Sequence, residues 1–246
     1  MPTLTKDWDR HVEHAEEIAR GPGFAALRDE ILERAAPLPE ERVLDVGSGT
    51  GLLTLPLAAL AKEVWALDIS AGMGSYLDAK AASAGLKNIR TVTASATSLP
   101  LVDESVDLVV SNYCLHHLRN DDKLRALWEV RRVLRPGGRL VFGDMMFSIA
   151  VGDSRSRRVL ADKVRAILRR GPAGLIRIAK NAVRLLIGRW EQPVAPHWWE
   201  RSLRETGFVE VSVRALVHEG GVASGRQPPV EDRSELTLGT PSSPAR

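Results

Sequence analysis

Val43-Leu44-Asp45-Val46-Gly47-Ser48-Gly49-Thr50-Gly51 is the stretch that decides the fold. An apolar run, Arg42–Val46, enters a turn with glycine at every second position, and Gly51–Leu60 beyond it reads as helix. A strand that passes through glycines into a helix lets the backbone approach a ligand closely and turns a helix N-terminus toward it. Asp68 stands at the end of the next predicted strand, where a carboxylate can hold the two ribose hydroxyls of a nucleoside.

Working outward, the same unit repeats. Strands are predicted at Glu63–Asp68, Ile89–Ala94, Val106–Ser111 and Arg139–Met145, with helices from about Ala71 to Ala84 and over Asp121–Leu134. The second helix carries Leu124, Leu127, Val130, Val133 and Leu134 on one side and closes at Pro136-Gly137-Gly138. Ahead of the first strand, Asp7 to Arg34 reads as helical, broken at Gly21-Pro22-Gly23 and ended by Pro37 and Pro39. Toward the C-terminus, a helix over His197–Thr206 precedes a strand at Phe208–Val217, a turn at Gly220-Gly221 and a returning strand at Val222–Arg226. Repeated βα units of this kind predict an α/β, Rossmann-like, doubly wound fold: a mostly parallel sheet, helices on both faces, right-handed crossovers. The final hairpin leaves the sheet mixed.

The chain has 246 residues, 44% hydrophobic and 26% charged, which is ordinary globular composition and excludes disordered, collagen-like and coiled-coil classes. It is expected to form one domain over 1–228, with helices over 1–38 as an N-terminal cap and a tail over 229–246 too rich in Pro, Ser and Gly to fold. No stretch approaches the roughly 18–20 apolar residues of a spanning helix, and Met1 to Arg20 has no apolar run to serve as a signal peptide. A single cysteine, Cys114, excludes an internal disulfide framework and suits a reducing compartment, so a cytoplasmic location is expected.

The net charge of +3 conceals an asymmetry: eleven Lys and Arg but two Asp lie between Ser148 and Trp190, giving +9 there and −6 elsewhere. This basic insertion, 148–195, reads as two amphipathic helices, Arg155–Arg170 and Leu175–Arg189, split by Gly171-Pro172. Three readings are open: a lid whose charges are merely solvated, a helix pair that lies on an anionic membrane surface through 155–189, or a seat for an anionic substrate. Nucleic acid ranks lowest, because the Arg-rich stretches lack interleaved aromatics.

The glycine turn discriminates between nucleosides. The dinucleotide fingerprint G-x-G-x-x-G wants a third small residue, where this chain has Leu52, and Asp45 directly before the turn would repel a pyrophosphate. A ligand carrying an amino group and a sulfonium suits that carboxylate better, so the turn favours S-adenosyl-L-methionine over NAD.

At this point the chain resembles the class I S-adenosylmethionine-dependent methyltransferases, in the branch that includes ubiquinone/menaquinone-type C-methyltransferases. The resemblance rests on Val43–Gly51; Ala66-Leu67-Asp68-Ile69-Ser70 with Met73; Leu99-Pro100-Leu101 with Asp103 through Asp107-Leu108-Val109; Asn112-Tyr113-Cys114-Leu115-His116-His117-Leu118; and Val133-Leu134-Arg135-Pro136-Gly137-Gly138. It implies a seven-stranded sheet with an antiparallel last strand. It also implies that Asp45, Gly47, Ser48 and Gly49 surround the methionine part of the cofactor, Asp68 binds the ribose, Ile69 and Met73 pack on the adenine, and Asn112 and Leu115 line the sulfonium side. The family often has Asp where this chain has Ser95 before Ala96, which implies weaker adenine recognition.

Methyl transfer is an in-line displacement in which the protein mostly positions the acceptor, with a base needed only when the acceptor must lose a proton. His116 and His117 follow the fourth strand, at the ligand-binding edge of such sheets, and Tyr113 is a further candidate for the acceptor pocket. Adjacent side chains point differently, so at most one of the two histidines is expected to meet substrate. Trp198 and Trp199 are expected to pack on the sheet. The six histidines and one cysteine show no metal-ligand spacing, and no metal is expected. The other readings are a non-catalytic cofactor-binding regulatory module and, less favoured, an NAD-dependent oxidoreductase.

Overall fold

A computed structural model of the chain describes residues 7–147, 157–158, 161, 164–165, 192–216 and 219–230. The basic insertion and the C-terminal tail therefore lie almost wholly outside the described residues.

The N-terminal region forms a 3-10 turn at Asp9–His11 and helices α1 (Val12–Ala19) and α2 (Pro22–Ala35), with the chain extended at Gly21 and the proline in the first turn of α2. Then come β1 (Arg42–Val46), α3 (Thr54–Ala58), β2 (Glu63–Asp68), α4 (Ala71–Ser83), β3 (Ile89–Thr93), β4 (Val106–Asn112), a 3-10 turn at Leu115–His117, α5 (Asn120–Val133) and β5 (Leu134–Met145). After the insertion follow α6 (Pro196–Glu205), β6 (Val209–Ala215) and β7 (Gly220–Arg226).

The seven strands form one sheet in the order β3-β2-β1-β4-β5-β7-β6. Pairs β1–β2, β1–β4, β2–β3 and β4–β5 are parallel, while β7 runs antiparallel between β5 and β6. The final hairpin thus inserts its second strand into the sheet and leaves β6 at the edge. Alternate residues of each strand face opposite ways, and two apolar clusters follow from that. Leu44, Val46, Leu140 and Phe142 pack under α5 and α6, with Trp199 fully buried and its ring 4.8 Å from Phe142, as expected for an aromatic lying on the sheet. Val43, Val64, Val110 and Val141 pack under α2 and α3.

Two local readings need adjustment. The helix expected from Gly51 begins at Thr54, because Gly51 takes a φ of +91° and the chain turns once more before winding. On α5, Leu124 is half-buried and Lys123 is the buried neighbour. Its ammonium is held inside by three acceptors, the carbonyls of Leu118 (2.7 Å) and Gln192 (2.8 Å) and Asn120 Oδ1 (3.2 Å). Burial lowers its pKa to about 8.

Candidate functional site

Strand order reverses between β1 and β4, and open α/β sheets bind ligands at the carboxyl ends of the strands where that happens. Those ends are Val46–Gly47 and Asn112–Tyr113. Gly47 and Gly49 have φ values of +72° and +51°, in the left-handed region that favours glycine. Their surroundings differ. A Cβ on Gly47 would collide with the Cys114 Sγ, whereas a Cβ on Gly49 would meet nothing within 4 Å. Gly47 is packed against the end of β4, and Gly49 faces open space.

Two carboxylates flank that space. Asp68 accepts from the Gly49 backbone N–H (2.9 Å) and the Ser70 N–H (2.9 Å), which fixes its carboxylate beside the glycine turn. Asp45 is 1% exposed and accepts from Thr54 Oγ1 at 2.6 Å. Burial, with the nearby Asp68 charge, pushes Asp45 up to about 7, and burial also raises Asp68. Neither acid forms an ion pair with a described residue. A buried and a half-buried acid held beside an opening suit a ligand that brings positive charge, and they oppose a pyrophosphate.

The remaining walls can be placed residue by residue. The buried Ser48 Oγ and Asn112 Oδ1 have no hydrogen-bond partner, so each is available to a ligand atom. Ile69 is 50% exposed at the rim, while Met73 below it is buried in the first turn of α4, whose N-cap is Ser70. Ser95 Oγ is engaged locally, 2.8 Å from Thr97 Oγ1 and 3.2 Å from the Thr97 N–H, next to the buried Ala96. Leu115 packs into the apolar cluster with Leu99 and Met146 and forms part of the floor. An opening beside Gly49, two unpaired polar atoms and a half-exposed apolar rim fit a nucleoside with a cationic side arm. S-adenosylmethionine meets each of these features.

The histidines separate clearly. His116 is 3% exposed, and its Nδ1 lies 2.5 Å from Asp144 Oδ1. Its backbone N–H donates to Asp144 Oδ2 at 2.9 Å, and the Met145 N–H donates to Asp144 Oδ1 at 2.6 Å. His117 is exposed, with its ring 4.0 Å from that of His116 and 4.7 Å from Trp8. Tyr113, at a φ of +50°, sets its ring edge-on to His116 at 6.2 Å and against Phe24 at 4.5 Å. Burial and the neighbouring acids Glu219 and Asp144 push the Tyr113 hydroxyl far up, so it stays neutral.

Sequence reasoning missed Asp144 and the contacts that tie the N-terminal segment, expected as a cap, to the start of α4 and the glycine turn. The signal for Asp144 was present: it is the lone acid in the apolar run Leu140-Val141-Phe142-Gly143-Asp144-Met145-Met146. Asp9 accepts from Ser70 Oγ (2.5 Å) and the Gly72 N–H (2.9 Å) at the start of α4, and hydrogen bonds from these two hold its carboxyl below the usual range. Glu16 pairs with Lys80 at 2.9 Å, and Lys80 also donates to the Thr50 carbonyl in the glycine turn at 3.0 Å.

Residues 44–142 match the family model described as a methyltransferase domain. A malonyl-[acyl-carrier protein] O-methyltransferase of Methylococcus capsulatus is 41% identical over 128 residues, covering 49% of this chain and 45% of that protein. A demethylmenaquinone methyltransferase of Renibacterium salmoninarum is 35% identical over 114 residues, covering 46% and 45%. The chain thus spans about half the length of such curated relatives. A SAM-dependent methyltransferase structure from Aquifex aeolicus superposes with a TM-score of 0.61 at 18% identity, over 87% of this chain and 97% of that one, which supports the fold. Over residues 44–142 the chain is thus similar to the methyltransferase domain family, and its fold is that of S-adenosylmethionine-dependent methyltransferase structures.

Proposed function

We propose that this chain is an active methyltransferase acting on a small acceptor, with both substrates gathered at the β1/β4 edge. The observation that carries the reading is the pair of carboxylates, buried Asp45 and half-buried Asp68, beside the opening at Gly49. Asp68 would hold the ribose hydroxyls, and Asp45 with the Gly47-Ser48-Gly49 backbone the amino acid arm. Ile69, Met73, Ser95 and Ala96 would enclose the adenine, with Asn112 and Leu115 on the sulfonium side. When bound, the cofactor supplies an electrophilic methyl carbon on a sulfonium. The chain's own part would be to orient the acceptor and exclude water: the rings of Trp8, His117, His116, Tyr113 and Phe24 form a contiguous row beside the end of β4. Positioning of this kind supplies several kcal/mol of barrier reduction.

A lipophilic acceptor would pack against that row of rings. The basic stretch 155–189 supports a complementary role at an anionic membrane surface, which would bring the enzyme to such a substrate. No helix among the described residues is long and apolar enough to cross a membrane. Sedimentation with anionic liposomes tests the contact, and binding that persists after Arg177, Lys180 and Arg184 are changed to Ala removes the electrostatic model.

Incubating the full chain with methyl-labelled S-adenosylmethionine and cell extract tests the activity. A labelled small product absent with Asp68→Ala supports it. Intact cofactor binding with no labelled product from any extract favours a regulatory module, a reading consistent with Ser95 standing in place of the frequent Asp.

A further inference from the structure

His116, in the 3-10 turn after β4, and Asp144, near the end of β5, form a buried pair outside the residues assigned to the cofactor. The Asp144 carboxylate is fully buried on β5, accepts from the backbone N–H groups of His116 and Met145, and lies 2.5 Å from His116 Nδ1. With its own acceptors committed in this way, the carboxylate fixes the imidazole proton on Nδ1. Nε2 is then the basic nitrogen, and it has no hydrogen-bond partner among the described residues. The ring is shielded by His117 at 4.0 Å and Tyr113 at 6.2 Å, behind which stand Trp8 and Phe24. The titratable groups around it are Asp144 from β5 and Tyr113 and His117 from its own segment. Lys123 of α5 interacts with Asp144, and Glu219 interacts with Tyr113.

We infer that the acceptor is a hydroxyl group whose proton is taken by His116 Nε2, with Asp144 as the positioning residue; the inference rests on the methyltransferase reading above. Acceptors differ in what they ask of a base. A carboxylate arrives ionised and needs none, and a buried Asp144 beside the site would disfavour its charge. A neutral amine attacks first and loses its proton afterwards. An alcohol or phenol is a weak nucleophile until the proton is withdrawn as the new bond forms, which is the case a buried, carboxylate-oriented imidazole serves. In the balanced step, the acceptor O–H proton moves to Nε2 while the oxygen lone pair bonds the methyl carbon. The electron pair of the broken carbon–sulfur bond stays on sulfur, giving S-adenosylhomocysteine, and the imidazolium later releases its proton to solvent.

The test has two arms on the full chain. Nitrogen-15 NMR of the histidine rings should show His116 protonated at Nδ1 and bare at Nε2, with that preference lost in Asp144→Asn. The reverse tautomer in the wild type overturns the inference whatever the variant does. The second arm supplies S-adenosylmethionine with para-butylphenol, para-butylbenzyl alcohol, para-butylbenzoate, para-butylaniline and the more acidic para-nitrophenol, and reads S-adenosylhomocysteine release. The hydroxyl compounds should turn over, and His116→Gln should lower kcat for para-butylphenol by about 10²–10⁴-fold, the usual worth of a general base. The loss should shrink to less than about tenfold for para-nitrophenol, which is largely ionised already. The residual rate of the variant should climb about tenfold per pH unit as hydroxide takes over, where the wild type levels off. An equal loss for every acceptor, preference for the benzoate, or no turnover of any hydroxyl compound by a protein that binds the cofactor overturns the inference. Failure to bind the cofactor at all would instead overturn the methyltransferase reading.

Discussion

Replacing Asp45 by asparagine should raise the stability of the ligand-free protein at neutral pH while weakening its hold on the cofactor. Burial pushes Asp45 up to about 7 from 3.8, so between those values the folded chain keeps a proton that the unfolded chain has lost. A carboxyl raised in this way favours folding below its unfolded value and loses that contribution as pH rises through its folded value. At about 1.36 kcal/mol for each pH unit between the two, the wild type forfeits about 4 kcal/mol by pH 8. Asparagine never ionises, and its side-chain oxygen can still accept from Thr54 Oγ1, which lies 2.6 Å from Asp45. The stability gap between variant and wild type should therefore widen by about 4 kcal/mol in the variant's favour from pH 4 to pH 8, most of it before pH 7. Urea titrations of both proteins at a series of pH values measure it. A gap that stays flat across that range refutes the placement of a buried, unpaired carboxyl at the end of β1. The same group should make cofactor affinity pH-dependent: a cationic ligand selects ionised Asp45, so binding should weaken about tenfold from pH 8 to pH 6 and lose that dependence in the variant.

Other outcomes follow from the same geometry. Gly49→Ala should fold with a loss of about 1 kcal/mol from its positive φ, yet bind cofactor poorly because the methyl occupies the opening. Gly47→Ala should cost more, about 1–3 kcal/mol, since its methyl meets Cys114; chemical denaturation and calorimetry on the two variants separate fold from site. Ser95→Asp should tighten cofactor binding tenfold or more by adding a charged acceptor for the adenine amino group, and an unchanged dissociation constant sinks that assignment. Asp9→Ala should speed amide hydrogen exchange in α1 while leaving β1 and β4 protected, because Asp9 ties the N-terminal segment to Ser70 and Gly72.

The parts of this molecule legible in the sequence are those whose signal is local. Short β-rich runs bounded by turn residues marked all seven strands, and Gly47 through Gly51 with Asp68 marked the edge expected to hold the cofactor. The placement of β7 between β5 and β6 was not legible, because a hairpin's residues specify the turn and the pairing with each other, not which strand reaches the sheet first. The burial of Lys123 was not legible: nothing in its neighbours along the chain announces carbonyls contributed by Leu118 and by Gln192, the latter 69 residues away. His116 and His117 were indistinguishable for the same reason. The partner that separates them, Asp144, lies 28 residues downstream on another strand. The Asp9 contact with the start of α4 spans more than sixty residues and carries no motif of its own.

The Gly47–Gly49 turn, Asp45 and Asp68 are proposed to form a site for S-adenosylmethionine. Titration calorimetry of the full chain with S-adenosylmethionine, S-adenosylhomocysteine and NAD tests it most directly. Saturable binding of the first two at one site per chain, abolished by Asp68→Ala, is expected, with no binding of NAD. Binding of NAD alone would contradict it.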